Sequence, residues 1–334
     1  MRVSVIIPCY NRASVVAETI RCVLAQTLPP HEVIAVDDGS TDNTVEVLQS
    51  FGSRVRILRQ SNAGASAARN AGLKIAGGDL IWFMDSDDLA SLNKLEVQVR
   101  ALQQSAADIA FAPWIKCRLQ DSHAHPETHI LQQRGLPRAM ARALVSRWTV
   151  VLQAGLFRKG LLSAVGGFDT SYDVAEDQLL FLKCLLAGAR IVHTPECLVV
   201  YRTDSSNKLT ETAVTSETRF VSWARFLFEA RQLCEEAGVH VSGSLPFRLR
   251  LWCAWKDLSR CSSSGARELA ALLASGLGLP WVGPFYALAQ KGAHWQGGLR
   301  QRIFGDRSPL ALRAGPPRQD QLSLISELGY ALQA

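Results

Sequence analysis

Residues 1–44, MRVSVIIPCYNRASVVAETIRCVLAQTLPPHEVIAVDDGSTDNT, pass twice through one order of patterns: a short β-branched run, a polar loop, then apolar residues at helical spacing. The first run, residues 3–7, meets Pro8 after five largely apolar residues, too few for the apolar core of a signal peptide, and reads as a first strand. The second, residues 32–36, ends in Asp37, Asp38, Gly39 and Ser40. Working outward, residues 54–58, 80–84 and 108–112 repeat the strand pattern, while residues 13–26, 44–50, 65–76 and 92–104 carry the helical period. This alternation predicts an α/β fold with a mostly parallel central sheet covered by helices on both faces. In such sheets ligands bind outside the carboxyl ends of the strands, so the loops after Ile7, Val36 and Met84 are expected to converge on one site. Hydroxyls and carboxylates at 40–44 predict a helix cap, and residues 61–64 precede an Ala-rich helix.

Beyond residue 112 the pattern loosens. Residues 121–129, polar and His-containing, read as an exposed loop, and 150–157 as a strand or loop unit. A turn at 166–169 and a helix over 176–186 stopping near Gly188 follow, then closing strands at 191–193 and 198–201. After residue 204 the pattern is helical, over 216–237, 246–261 and from 267, which places a boundary near 205. Residues 1–205 form one expected unit and 206–334 a helical C-terminal region.

The chain has 334 residues, 48% hydrophobic and 20% charged, a composition that excludes a mainly disordered or collagen-like protein. Lys and Arg outnumber acidic residues 36 to 30, giving a net charge of +6 without a long basic block, so an anionic partner is expected and nucleic acid is not. Eight scattered cysteines without a CxxC pair read as reduced cytosolic thiols. The charge-free run 269–290 is broken by Gly276, Gly278, Pro280, Gly283 and Pro284, which argues against a spanning helix.

Four groups of residues can carry chemistry. Asp37 and Asp38 end the second strand, where a carboxylate accepts from a pyrimidine imide or a sugar hydroxyl; the same residues also suit a turn and cap. Asp85 and Asp87 follow the apolar run 80–84, and in an extended chain they share one side. Carboxylates crowded there suit a hard divalent cation completed by phosphate and water, or a solvated acidic turn. Glu176 and Asp177 open a helix whose Leu179, Leu182, Leu185 and Leu186 face a core; the helix dipole favours such anions, and a general base is the functional alternative. Arg69 sits among small residues on a helix, able to reach a phosphate or to remain solvated. P-loop, G-x-G-x-x-G, HExxH and G-x-S-x-G motifs are absent, which counts against an NTPase, a dinucleotide dehydrogenase, a zincin and an esterase.

In order, VSVIIPCYNR at 3–12, VDDGSTDNT at 36–44, NAGASAARNAGL at 62–73, GDLIWFMDSDD at 78–88, VGGFD at 165–169 and ED at 176–177 resemble the family-two inverting glycosyltransferases of GT-A fold. The resemblance covers about the first 205 residues. It implies a nucleotide-diphospho-sugar donor, UDP-, GDP- or dTDP-linked, with Pro8 and Tyr10 lining the base, Asp38 accepting from it, Asp37 beside it and Arg69 holding the donor. It further implies Asp87 as direct ligand of Mg²⁺ or Mn²⁺, with Asp85, the first carboxylate of the family's DxD, nearer the ribose or donor sugar. Asp177 matches the catalytic base, Glu176 would orient it or touch the acceptor, and residues 166–169 would shape the acceptor side. Many relatives carry a Tyr-Arg-x-His run whose His lies near the metal; here the run is Tyr201, Arg202, Thr203 and Asp204, so Asp204 is either a hard oxygen ligand or an exposed loop carboxylate.

The family-level acceptor is a glycan or a lipid-linked glycan in polysaccharide or glycolipid assembly, in the cytoplasm or peripheral at the inner face of the membrane. Trp223, Trp252, Trp255, Trp281 and Trp295, beside Arg248, Arg250, Lys256, Arg260, Lys291, Arg300 and Arg302, suit a helix at an anionic lipid surface, or packing of the tail on the catalytic unit. Two rival functions are a non-catalytic carbohydrate-binding or scaffold protein of the same fold, and a sugar nucleotidyltransferase releasing pyrophosphate. Retention of Asp38, Asp85, Asp87 and Asp177 counts against the first, and the lack of a Gly-rich basic loop after Ile7 against the second.

Overall fold

The computed structural model describes residues 1–120, 123–126, 131–133, 135–146, 148–203 and 216–276. In chain order the first elements are β1 (Val3–Cys9), α1 (Val16–Leu24), β2 (Glu32–Asp37), α2 (Thr44–Gln49), β3 (Arg56–Arg59), α3 (Ala65–Ile75), β4 (Leu80–Phe83), β5 (Leu89–Ala90), α4 (Lys94–Gln104) and β6 (Ile109–Phe111). Then come β7 (Trp114–Gln120), β8 (His123–Pro126), α5 (Met140–Ser146), β9 (Gly155–Arg158), α6 (Lys159–Ala164), α7 (Glu176–Leu186), β10 (Ile191–His193) and β11 (Val199–Arg202). Three helices follow, α8 (Ser216–Glu236), α9 (Leu245–Leu258) and α10 (Ser264–Gly276).

The expected mostly parallel sheet is present. Seven strands run in the order β10-β6-β9-β4-β1-β2-β3, parallel except for β9, which pairs antiparallel with β4 and β6. Val5, Ile6 and Ile7 of β1 and Ile34, Ala35 and Val36 of β2 are fully buried, as apolar runs in a doubly covered parallel sheet require. Helix α3 lies close on β1 because residue 72 is glycine: a Cβ there would stand 2.5 Å from the Ile6 Cγ2. That close approach sets Arg69 and Asn70, one turn earlier on α3, above the carboxyl ends of the central strands.

A second sheet, β5-β11-β7-β8, is absent from the sequence reading. Its β5 has only two residues, too short to show alternation. Residues 123–126 correct the expected loop: they form β8, antiparallel to β7, with Cys117 opposite Pro126 and Gln120 opposite His123. The run His-Ala-His-Pro lacks apolar alternation because it is an edge strand, and proline is tolerated there.

The C-terminal helices share the main core. Ala224, Phe226, Phe247 and Leu251 are buried in one cluster with the sheet residues. Arg250 of α9, whose pKa burial lowers to about 10, remains a cation and donates from Nη1 to the carbonyls of Leu144 (2.8 Å) and Val145 (3.1 Å) at the end of α5. Its guanidinium lies 5.0 Å from the Trp223 ring centroid, and Trp252 is 7% exposed. Trp252 belongs to the main core cluster, and Trp223 and Trp255, half-buried, pack against it. Trp281, Trp295, Lys291, Arg300, Arg302, Asp204 and most of the run 269–290 lie outside the described residues. Among the described residues no helix is long and apolar enough to cross a membrane.

Candidate active site

The loops after β1 and β2 are stitched together. The Asn11 amide donates to Ser40 Oγ (3.0 Å), the Thr41 amide to Asn11 Oδ1 (2.8 Å), the Arg12 amide to Thr44 Oγ1 (2.7 Å) and the Ala13 amide to Asp42 Oδ2 (3.1 Å). Asn11 has φ 51°, a conformation asparagine adopts more readily than most residues. The expected caps of residues 40–44 are found in part: Asn43, the N-cap residue of α2, makes no side-chain cap bond, Asp42 Oδ1 accepts from the Thr44 amide that opens the helix (3.0 Å), and Ser40 Oγ, Thr44 Oγ1 and Asp42 Oδ2 serve the neighbouring loop. Gly64, with φ 89°, precedes α3 without a side-chain cap either.

Asp37 and Asp38 are buried and engaged. Asp37 accepts from the Ser40 amide at 3.3 Å and pairs with Arg59 at 3.3 Å. Asp38 accepts from Gln60 Nε2 (2.7 Å) and the amides of Ala63 (2.9 Å) and Gly64 (2.8 Å), holding the loop that enters α3. Pro8 and Tyr10, half-buried, stand at the end of β1 beside this loop system. Burial, then Asp37 and more weakly Asp87, raise the Cys9 thiol, which puts the ends of β1, β2 and β4 within electrostatic reach of one another.

After β4 the chain does not stay extended. Residues 86 and 87 form a turn, and the Asp88 amide donates to the Asp85 carbonyl at 3.3 Å, so the period-two argument for Asp85 and Asp87 fails. Asp85 and Asp87 are both partly exposed. Asp88, 1% exposed, is structural: it accepts from the Arg202 amide (2.9 Å) and from Gln153 Nε2, tying the turn to β11 and to the residues just before β9. The Arg202 guanidinium pairs with Glu18 on α1.

Arg69 is the centre of the arrangement and is not solvated. Its side chain, 7% exposed, donates from Nη2 to Asp85 Oδ1 and from Nη1 to Glu176 Oε1, both at 2.8 Å. Burial works against this cation, but the two carboxylates outweigh it and raise its pKa. Phe168 lies under the guanidinium, 5.4 Å from ring centroid to Arg69 Cζ, and Asn70 brackets the Phe168 backbone, accepting from its amide (2.9 Å) and donating to its carbonyl (2.8 Å). Gly167, φ 70°, is required here, since a Cβ would meet Asn70 Oδ1 at 2.7 Å.

Asp177 follows Glu176 in the first turn of α7. It accepts from the Gln178 amide (2.8 Å) and from Gln178 Nε2 (3.0 Å), and Gln178 is held in turn by both backbone groups of Val150. Burial and the neighbouring Glu176 push the Asp177 carboxyl up to about 7, against Arg69 and the Gln178 bonds. Ala175, immediately before, has φ 70°, a left-handed conformation that costs a non-glycine residue about 1–2 kcal/mol. Tyr201 completes the rim: burial, then Asp88, Asp85, Asp87 and Asp177, raise its phenol.

Sequence reasoning did not single out Gln178 or the bracketing role of Asn70, and it named Asp88 and Tyr201 only within the runs 85–88 and 201–204. The signal for Gln178 was slight, a polar residue with no periodic excuse inside an apolar helix face. Among the described residues no group of three or more His, Cys, Asp and Glu side chains gathers as a metal site.

Residues 4–164 match the model of Glycosyl transferase family 2. The chain is 28% identical over 263 residues to glycosyltransferase GlyG of Streptococcus pneumoniae serotype 4, covering 72% of this chain and 83% of that protein. It is 28% identical over 226 residues to the uncharacterized glycosyltransferase EpsJ of Bacillus subtilis (63% of each). To the uncharacterized glycosyltransferase YibD of Escherichia coli it is 32% identical over 170 residues (48% of this chain, 49% of the relative). In structure it is similar to S. aureus TarS 1-349 in complex with UDP-GlcNAc, with a TM-score of 0.55 at 20% identity over 77% of this chain and 81% of that one. It is also similar to the mannosyltransferase PcManGT from Pyrobaculum calidifontis in complex with GDP-Man and Mn²⁺, with a TM-score of 0.53 at 20% identity over 91% and 87%. The parallel sheet and the structural likenesses agree that this chain has the GT-A fold, and residues 4–164 carry the match to glycosyl transferase family 2.

Proposed function

We propose that the chain is an inverting glycosyltransferase that moves a sugar from a nucleotide-diphospho-sugar to an acceptor hydroxyl in one displacement. The observation that carries this reading is the bridge of Arg69 between Asp85, at the strand-end turn, and Glu176, beside a carboxylate of raised pKa. Asp177 takes the proton of the acceptor hydroxyl as its oxygen attacks the anomeric carbon, and a carboxyl near 7 is basic enough for that role. The bond from the anomeric carbon to the diphosphate oxygen breaks on the opposite face, its electron pair leaving with the nucleoside diphosphate. Pro8, Tyr10, Asp37 and Asp38 border the base, and Arg69 and Asp85 border the diphosphate and donor sugar.

The donor chemistry at residues 85–87 suits Mg²⁺ or Mn²⁺: two hard carboxylates, partly exposed, with coordination left for phosphate and water. Asp87 would be the direct ligand and Asp85 the second, and the ion supplies Lewis-acid compensation of charge on the leaving diphosphate. Asp204 is kept as a further oxygen donor. The acceptor in this reading is a glycan or lipid-linked glycan, met in the cytoplasm or at the inner face of a membrane. The free thiols of all eight cysteines suit a reducing compartment.

The test is a panel of UDP-, GDP- and dTDP-linked sugars, read by thermal shift and by slow donor hydrolysis, with Mn²⁺ or EDTA. A metal-dependent hit whose first-formed free sugar is inverted by proton NMR is the expected result. A folded protein that binds no donor in the presence of metal, or one that retains configuration, overturns the proposal.

A further inference from the structure

The family match ends at residue 164, yet Glu176 and Asp177 lie beyond it, at the end of a loop that begins after α6. That loop is gripped at two places. Asn70 of α3 holds the backbone of Phe168 from one side. From the other, α8 presents Arg225 and Glu229, four residues apart and so on one helix face. Arg225 Nη1 donates to the Ser171 carbonyl (3.0 Å) and Nη2 to Ser171 Oγ (3.3 Å), while its guanidinium carbon lies 4.8 Å from the Tyr172 ring centroid. Tyr172, 4% exposed, donates its hydroxyl to Glu229 Oε2 at 2.5 Å. Asp169 Oδ1 accepts from the Ser171 amide at 2.9 Å, closing the turn between the two grips.

Ala175 stands three residues after Tyr172 in a left-handed conformation and is itself buried. Such a residue persists only where its surroundings over-determine it. On the α7 side Gln178 and Val150 hold the helix start; on the loop side the last fixed point before Ala175 is Tyr172. We propose that Arg225, Glu229 and Tyr172 form a clamp by which helix α8, outside the family-matched segment, positions Glu176 and Asp177 for the acceptor hydroxyl. The helical C-terminal region then acts on the reaction through the acceptor-side loop, while the donor side is held by α3 and the 85–87 turn. These are positioning residues, and the inference rests on Asp177 as the base.

The experiment compares the full chain with Tyr172→Phe, Glu229→Ala and Glu229→Gln. It uses the nucleotide sugar that the parent hydrolyses fastest among UDP-, GDP- and dTDP-linked donors, with hydrogen exchange at residues 173–177 read in parallel. Tyr172→Phe keeps the ring and its packing, so it tests the hydroxyl in a protein that folds. The expected result is a fall in kcat of roughly tenfold in Tyr172→Phe and Glu229→Ala with donor KM within about twofold, recovery in Glu229→Gln, which still accepts from the phenol, and about tenfold faster exchange at 173–177. Unchanged kcat in an active, folded Glu229→Ala, or exchange at 173–177 equal to that of the parent, overturns the clamp. Exchange reads the clamp even in a parent that hydrolyses no donor, so failure of the catalytic reading and failure of the clamp are told apart.

Discussion

Replacing Asp177 with Asn separates what the site costs the fold from what it does in the reaction. Burial, with Glu176 beside it, raises the Asp177 carboxyl from 3.8 to about 7. A group whose pKa is higher in the folded chain binds its proton more tightly there. Its contribution to stability is therefore full below about pH 4 and is lost as pH rises through about 7. At ~1.4 kcal/mol per pH unit the ceiling of the loss is ~4 kcal/mol. Water at the half-buried carboxylate screens part of it, and part is already lost by pH 5, which leaves about 1–2 kcal/mol between about pH 5 and about pH 8. The Asn side chain carries no titrating proton, so its stability relative to the parent should rise by that amount across the interval. The assay is guanidinium unfolding of parent and variant at both pH values, in EDTA and without donor. Lys94, an ammonium that burial lowers to about 7, is common to both proteins and cancels in the difference. Turnover of the same variant should fall about a hundredfold or more. An identical stability difference at the two pH values refutes the raised carboxyl, and full turnover refutes the base.

The acidic limb of kcat/KM for donor hydrolysis should fall below about pH 7, because the base must be ionised in the free enzyme; a profile flat down to pH 5 contradicts the assignment. Asp88→Ala removes the acceptor of the Arg202 amide and of Gln153 and should cost about 2–3 kcal/mol by denaturant melts, whereas Asp87→Ala should change stability by less than about 1 kcal/mol and abolish the Mn²⁺-dependent thermal shift with nucleotide sugar. Arg69→Ala leaves Asp85 and Glu176 without their shared cation and should cost about 3 kcal/mol together with a rise in donor Kd, read by melts and by titration.

The strands and helices of residues 1–112 were legible because buried parallel strands and amphipathic helices impose periods that local sequence carries. What was not legible depended on neighbours that sequence order hides. A hydroxyl at residue 40 or 44 has two candidate partners, the amides of its own helix and those of the chain after β1, and only the adjacency of β1 and β2 decides for the second. Residues 123–126 become a strand because β7 is there to pair with, since four residues ending in proline have no strand signal of their own. Arg69 reads as a surface cation until α3, the 85–87 turn and α7 are brought together. The candidate carboxylates were legible as residue types in an ordered set of motifs. Their division of labour was not: Asp88 differs from Asp85 and Asp87 only in being buried against Gln153 and the Arg202 amide.

The Arg69 bridge also explains why acidic groups can crowd here at all. Asp85, Glu176 and Asp177 would repel one another; a single guanidinium pairs with the first two directly and acts on Asp177 through its field. The charge is thus distributed unevenly: two carboxylates share one fixed cation, and the third is raised toward neutrality by burial and by its neighbour. On the proposed reading this asymmetry is what a transferase requires. Asp85, on the donor side, must meet a cation and help order the diphosphate, whereas Asp177, on the acceptor side, must accept a proton readily. One arginine on α3, placed by the absence of a side chain at Gly72, lets both conditions hold within a few ångströms of each other.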